Sequence, residues 1–195
     1  GSEFEQGYAD HSIASGLWKL FGQRESLIGA YIKTLSAYND KAKLDKIVPG
    51  VRFITSDTGV ASAKVSALLL GGAYPIHIGG CIAVDHRHKT SIEDFDKALD
   101  QLFAQFRDSI KKLERLLEVY LNYPVNAMIR VCKKLALPKK AALEAIDMFE
   151  KTYGGGVATA HDVFMAMQEI LYTLKCEGTP QSKMLTVEEN MARAL

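Results

Sequence analysis

Cysteine is scarce in this sequence, and the cysteines that occur are widely separated. Among 195 residues there are three, Cys81, Cys132 and Cys176, with no paired spacing between them. An odd number of separated cysteines argues against the disulfide framework of a small secreted protein. Each cysteine lies among apolar residues, a setting that favours a buried thiol. This usage is typical of a cytoplasmic protein.

Long hydrophobic runs and the common signatures of enzymes are absent as well. The longest apolar stretch, 65–73, includes two glycines. It is shorter than the roughly 18 residues that a membrane-spanning helix needs, so no membrane partner is expected. No nucleophile elbow, Walker-type phosphate loop, dinucleotide fingerprint or zincin helix occurs. The sequence therefore favours a protein without a cofactor and without catalytic activity.

The sequence has almost no net charge, but its charges are unevenly distributed. The formal net charge is +1 at pH 7, which argues against nucleic-acid binding through bulk charge alone. Between Arg107 and Lys140 there are nine lysines and arginines and three acidic residues, whereas the rest of the chain has 15 basic and 20 acidic residues. This basic segment is a candidate surface for phosphate groups.

The first half of the chain predicts a helix followed by a small sheet. Apolar residues recur at helical spacing from Arg24 to Tyr38. Three short strand-like runs follow, at 51–55, 60–70 and 74–84, and Gly79-Gly80 interrupts the third. The runs are separated by the turn signals Ser-Asp-Thr-Gly and Gly-Gly. Short strands joined by tight turns are typical of an antiparallel meander.

Ser91 to Leu121 predict one long helix. Its apolar residues follow one another at intervals of three or four positions, which places them on one stripe of a helix. They are Ile92, Phe95, Leu99, Leu102, Phe106, Ile110, Leu113, Leu117 and Tyr120. A helix of about 30 residues is roughly 45 Å long. Packing of the stripe within the subunit is the first expectation, and pairing with a second copy of the chain through residues 91–121 is the alternative.

The C-terminal half is predicted to be helical. Pro124 and Pro138 suit the first turns of two helices. Three glycines, 154–156, separate the second of these from a helix that Thr159 can cap. The segment 186–189, Thr-Val-Glu-Glu, resembles a capping box at the start of a last short helix.

These elements predict an α+β fold that is mainly α-helical. A small three-stranded antiparallel meander is followed by a long helix and a helical C-terminal half. Residues 1–4 resemble an expression-vector remnant and are set aside. Residues 5–121 are expected to form an α-β-β-β-α domain, with 122–195 as a helical subdomain packed on it or as part of one continuous domain.

The segment 85–89, Asp-His-Arg-His-Lys, carries the most chemically reactive side chains for its length. It follows the last predicted strand and precedes the long helix. Arg87, His88 and Lys89 are candidates for phosphate or nucleic-acid contacts. A solvated loop is the simpler interpretation.

Part of the basic segment forms a second candidate surface. Arg130, Lys133 and Lys134 are three and four residues apart and share a helical face, and Lys139 and Lys140 follow after a short turn. Such residues contact backbone phosphates and give affinity without sequence choice. The two predicted helices beside this turn resemble a helix-turn-helix, although the second carries few residues that contact bases. A solvated surface is again the alternative.

The order of elements resembles a family of uncharacterised proteins carried by phages, prophages and plasmids. The resemblance covers 48–195 and rests on short motifs: Pro49-Gly50-Val51 through Ser56–Gly59 as a strand and turn, Gly79–Val84 at the position of a Cys-Ser-Asn-Gly turn, Arg87-His88, and Thr159–Ala166 as a late helix start. It implies a mobile-element setting and supplies no catalytic residue. A helix, a three-stranded meander and a long helix are also similar in fold to the core of Rad52-related single-strand annealing proteins, which form rings and bind DNA along a basic groove.

Three functions follow from these observations. The leading hypothesis is a non-enzymatic nucleic-acid-binding accessory protein of a phage or plasmid. It would bind DNA mainly by contacting the phosphate backbone, and single strands are favoured. The second is a protein-interaction module that inhibits or decoys a host factor. The third is a metal-dependent enzyme around Asp85, His86 and His88, in which the two histidines share a face and Asp85, His77 or His161 completes the metal site.

Overall fold

A computed structural model of the chain describes residues 19–20, 22–44, 47–54, 64–70, 75–79, 82–84 and 92–195. Within these ranges the fold is α+β and mainly helical, as predicted. The elements in chain order are α1 (Glu25–Ala42), β1 (Val48–Ile54), β2 (Lys64–Leu70), β3 (Ile76–His77), β4 (Ile82–Ala83), α2 (Ile92–Leu116), β5 (Tyr120–Leu121), α3 (Pro124–Lys134), α4 (Lys139–Tyr153), β6 (Ala158–Thr159), α5 (Ala160–Met167), α6 (Glu169–Cys176) and α7 (Gln181–Ala192).

The main sheet is antiparallel, with β2 in its centre. β1 pairs with β2 along its whole length, and β3 and β4 both pair with the other edge of β2. Together β3 and β4 form the third strand of the predicted meander. From the pair Leu68–His77 to the pair Lys64–Ala83, β2 covers four residues and the third strand covers six. The register therefore shifts by two residues in the part of the strand where the sequence places Gly79-Gly80.

The two faces of the sheet have different neighbours. On one face, Val65, Leu69 and Ile78 are buried in a core with the apolar stripe of α2. Successive side chains of a strand point to opposite faces, so Arg52 and His77 point to the other face. That face is covered by α7, which packs against β3.

α2 is shorter than predicted, and its end explains one wrong assignment. Phe95, Leu99 and Ile110 are buried, so packing of the stripe within the subunit is confirmed. The helix ends at Leu116, however, with hydrogen bonds between residues three apart over the next three positions, the tighter pattern common at helix ends. Tyr120 is therefore part of β5, not of the helix, and is 72% exposed. Self-association through 91–121 stays a prediction.

The C-terminal half packs around a second buried cluster, to which Met128, Ile146 and Ile170 belong. α3 begins at Pro124, and α4 begins directly after Pro138, as predicted. α4 ends before three glycines, of which Gly154 has φ 56°, a left-handed conformation that glycine adopts without strain.

Two predicted helix boundaries in this half are corrected. Thr159 caps α5 in a capping box with Asp162, as its position suggested. The predicted helix beyond it is divided at Gln168 into α5 and α6. The last helix begins at Gln181 after Pro180, so the segment 186–189 lies inside α7 and is not a capping box. Proline explains the earlier start, because its fixed φ suits the residues that open a helix.

The two buried clusters are in contact. Phe164 of α5 belongs to the first cluster, and the hydroxyl of Tyr38 in α1 makes a buried hydrogen bond with Nε2 of His161 in α5. The division into a domain of residues 5–121 and a helical subdomain of residues 122–195 stays a prediction. Among the described residues, no helix is both long and apolar enough to cross a membrane.

Cysteine burial was predicted correctly in one of the two positions described. Cys132 is buried, and burial raises the pKa of its thiol to about 11, so it is protonated and inert at neutral pH. Cys176 is exposed, because it ends α6 on the side away from the core. Cys81 lies outside the described residues.

Candidate functional site

Arg130, Lys133 and Lys134 lie on the exposed side of α3, as their spacing predicted. Met128 and Cys132 on the opposite side are buried and fix the orientation of the helix. Within the part of the chain that the structure describes, none of the three cations forms an ion pair. The two lysines occupy the last turn of α3, where positive charge interacts favourably with the helix dipole.

Lys139 and Lys140 extend this surface onto the first turn of α4. Positive charge is unfavourable at a helix N-terminus, and no acidic residue occurs in this first turn. The Nζ atom of Lys140 lies 2.6 Å from an Oε1 of Glu177, so its charge is largely compensated. Lys139 is exposed and forms no such pair within the described residues. We call the exposed, unpaired group Arg130, Lys133, Lys134 and Lys139 the α3 cationic face.

Two tyrosines beside the α3 cationic face were not predicted as site residues. Tyr120 in β5 is 72% exposed, and Tyr123, directly before α3, is 76% exposed. Arg130 follows Tyr123 by seven residues, which is about 10 Å along the axis of α3. An exposed aromatic ring therefore lies directly before the helix that carries the first three cations of the face. The assignment of Tyr120 to the stripe of the long helix concealed this arrangement.

The outer side of α4 does not continue the positive surface. Its exposed residues include acidic and apolar side chains: Leu143, Glu144, Asp147, Met148 and Glu150. Lys151 on the same helix is paired with Asp147 at 2.6 Å. Carboxylates repel a phosphate backbone, so α4 lacks the surface chemistry of a recognition helix. The two helices therefore share their order with a helix-turn-helix, but the second helix does not share the surface chemistry of a recognition helix.

The candidates in segment 85–89 lie outside the described residues. This applies to Arg87, His88 and Lys89 as phosphate contacts and to Asp85, His86 and His88 as metal ligands. Within the described residues, no group of three or more histidine, cysteine or acidic side chains is arranged to hold a metal ion.

Both described histidines that were considered as additional metal ligands are buried with other partners. His161 is hydrogen-bonded to Tyr38, and burial lowers the pKa of His161, against a smaller opposing effect of Asp162. His161 is therefore a neutral core histidine near pH 7. His77 is 3% exposed and belongs to a network with two charged groups.

The Arg52–His77–Glu188 network joins the sheet to α7. The Nε2 atom of His77 lies 2.9 Å from an Oε2 of Glu188, and an Nη1 of Arg52 donates to the same oxygen. Arg52 on β1 and His77 on β3 point to the face that α7 covers, and Glu188 on α7 is 7% exposed. Two donors from two strands therefore converge on one carboxylate of the last helix.

This geometry assigns the protonation of the imidazole. Nη1 of Arg52 is also 3.2 Å from Nε2 of His77, but a guanidinium nitrogen can only donate. Because Nε2 faces a carboxylate oxygen, it carries the proton and donates to Glu188. Nδ1 of His77 is buried and has no hydrogen-bond partner among the described residues. In the neutral ring it holds a lone pair, which is less costly to leave unpaired than an N–H group.

The network also determines the charge of Glu188. Burial alone would raise the pKa of its carboxyl, but the hydrogen bond from His77 and the positive charge of Arg52 outweigh burial and lower it. Glu188 is therefore ionised at neutral pH, in a pair of a buried carboxylate with a partly buried guanidinium. With Arg52 and His77 both donating to Glu188, the network is a structural connection between the sheet and α7.

Acid titration is expected to weaken this connection. Because the folded pKa of Glu188 lies below its ordinary value of 4.5, its contribution is complete above that value and is lost as the pH falls through the folded pKa. Urea unfolding from neutral pH to about pH 3 should show a steeper loss of stability in the wild type than in Glu188→Gln. Parallel curves for the two proteins would contradict the lowered pKa.

Comparison of the chain with protein-family models, with curated proteins and with solved structures found no match.

Proposed function

We propose that this chain is a non-enzymatic nucleic-acid-binding protein that contacts backbone phosphates through the α3 cationic face. The observation that carries the proposal is the grouping of four exposed cations without ion-pair partners among the described residues, in a protein of almost zero net charge. Some cations elsewhere are paired, as in Lys41 with Glu114 and Lys64 with Glu189. Unpaired lysine and arginine side chains are the groups that replace counterions along a phosphate backbone.

The exposed tyrosines favour single strands over duplexes. Tyr123, directly before α3, is 76% exposed, and Tyr120, three residues earlier, is 72% exposed. A base that is free of its complement can stack on such a ring, at roughly 1–3 kcal/mol per base. In a duplex the bases are stacked on each other and offer no free face to a tyrosine ring. We therefore expect single-stranded DNA as the preferred partner, bound with little sequence choice.

The biological setting proposed is that of a phage or plasmid accessory protein. It is supported by the resemblance of the motifs at 49–59 and 159–166 to a mobile-element family. The meander followed by a long helix is also the order of elements in annealing proteins, although fold order alone does not determine function.

Charge reversal on α3 is expected to reduce DNA binding. In the variant Arg130→Glu/Lys133→Glu/Lys134→Glu, up to three phosphate contacts are lost, so the plot of log K against log salt should become shallower by about 2. The measurement is fluorescence anisotropy with labelled single- and double-stranded oligonucleotides at several salt concentrations. In the same titrations, Tyr123→Ala should weaken binding to single strands more than binding to duplexes.

The control has the same change in charge at other places. Lys33→Glu/Lys97→Glu/Lys183→Glu reverses three exposed lysines on α1, α2 and α7, and it should keep a salt slope much closer to that of the wild type. Equal loss in the two triple variants would mean that net charge, and not the α3 cationic face, determines binding. No binding by the wild type at low salt would overturn the proposed function.

A second candidate function is supported by exposed apolar side chains at the small β5–β6 sheet. Val119, Tyr120, Tyr123 and Val157 are 46–76% exposed, and these chain segments are adjacent because Tyr120 pairs with Thr159 and Leu121 with Ala158. Neighbouring exposed apolar residues are typical of protein-interaction sites. If the wild type binds no oligonucleotide, this surface becomes the leading candidate, with a protein partner such as a host factor.

A further inference from the structure

A cleft separates the outer side of α2 from the C-terminal end of α7. Its volume is about 570 Å³, and Ile78 and Gly79 of the third strand form part of its wall. This volume falls within the range of roughly 300–1,000 Å³ that is usual for small-molecule sites. The cleft shares no residue with the α3 cationic face.

The cleft is lined by more cations than carboxylates. Lys111, Lys112 and Arg115 come from consecutive turns of α2, and Arg193 comes from the end of α7. Within the described residues, the three side chains of α2 have no ion-pair partner.

Two acidic residues also line the cleft, but they do not neutralise it. Glu189 lies 3.4 Å from Lys64, a cation that is not part of the cleft lining. Asp108 is the second acidic residue of the lining. Among the described residues of the lining, four cationic side chains therefore outnumber two acidic side chains, one of which is paired with a lysine outside the cleft.

The cleft is supported by the core beneath it. The inner side of α2 carries Phe106, Ile110 and Leu113, which are at most 4% exposed, so the backbone that carries the cations is held in place. Ser109 is 7% exposed and lines the cleft beside Gly79. A Cβ atom at position 79 would lie 3.4 Å from Oγ of Ser109, so a side chain at 79 would enter the cleft wall, and glycine leaves this space open.

We propose that the cleft binds a small phosphate ester of about nucleotide size. Phosphate is the group that fits best, because the planar guanidinium of Arg115 can donate two parallel hydrogen bonds while the lysines add mobile point charges. The cleft is half open to solvent, and its volume of about 570 Å³ is the size of a small-molecule site rather than of a groove that follows a long nucleic-acid backbone. This site is separate from the α3 cationic face, and the proposal does not depend on whether the chain binds nucleic acid.

The experiment is isothermal titration calorimetry of the intact chain with inorganic phosphate, pyrophosphate, AMP and ATP. We expect at least one of these probes to bind, and Lys112→Glu/Arg115→Glu to weaken its binding by roughly tenfold to a hundredfold, as expected for two lost charge-assisted hydrogen bonds. Gly79→Leu should also weaken it, by occupying the space beside Ser109 without a change in charge. Circular dichroism should confirm that each variant is folded.

Three outcomes would overturn the proposal. The first is that none of the four probes binds to the wild type at millimolar concentration. The second is that Lys33→Glu/Lys97→Glu, which reverses two exposed lysines outside the cleft, weakens binding as much as the cleft variant. The third is that the cleft variant reduces oligonucleotide binding while no small phosphate binds, which would assign the cations to a nucleic-acid strand. Loss of oligonucleotide binding in the α3 variant alone leaves the cleft proposal unaffected.

Discussion

Replacing Glu188 with alanine is expected to lower the free energy of unfolding by about 3 kcal/mol. The substitution leaves the guanidinium of Arg52 and the imidazole of His77 facing a site without a carboxylate. The side chains of His77 and Glu188 are 1% and 8% exposed, so water does not replace the lost partner well. Arg52 is 22% exposed at its side chain, and this access to water places the effect at the lower end of the range for broken buried pairs. Urea denaturation at neutral pH measures it.

The adjacent residue provides a matched control. Glu189 has the same side chain on the same helix and is also paired across to the sheet, with Lys64 at 3.4 Å. Both members of this pair are about one-third exposed, so Glu189→Ala should cost less than about 1 kcal/mol. If the two alanine variants are equally stable, the buried network contributes no more to stability than a surface ion pair. In that case Glu188 does not stabilise the packing of α7 on the sheet.

The network shows why long-range polar contacts were not predicted from the sequence. Arg52 and Glu188 are separated by 136 positions, and no local pattern connects them. One local signal was present: His77 stands between Ile76 and Ile78 in a strand-like run, and a histidine on a covered strand needs a partner. That signal predicts that a partner exists without saying which residue supplies it.

Local patterns, in contrast, predicted most of the fold. Alternation and turn residues predicted the meander, including the interruption of its third strand, and intervals of three and four predicted the buried side of α2. They also predicted the exposed side of α3, because the burial of Met128 and Cys132 follows from the same periodicity that exposes Arg130. What periodicity cannot predict is which exposed cation has a partner. Lys140 pairs with Glu177, 37 residues away.

The ends of helices were predicted least well, since an apolar residue fits a helical stripe whether or not the helix continues. α2 stops at Leu116, four residues before the last position of the predicted stripe. The buried and the exposed ends of that stripe therefore consist of similar residue types with opposite roles. Tyr120 is turned to solvent beside Tyr123, where a ligand can reach both.

Two alanine substitutions separate these roles. Ile110 is fully buried, so Ile110→Ala is expected to cost about 3 kcal/mol, from lost apolar burial and the cavity that remains. Tyr120→Ala removes a side chain that is 72% exposed and should change stability by no more than about 0.5 kcal/mol. The sequence stripe alone treats the two positions as equivalent. Similar losses in urea denaturation would mean that the helix continues through Tyr120, which would remove this tyrosine from the candidate surface.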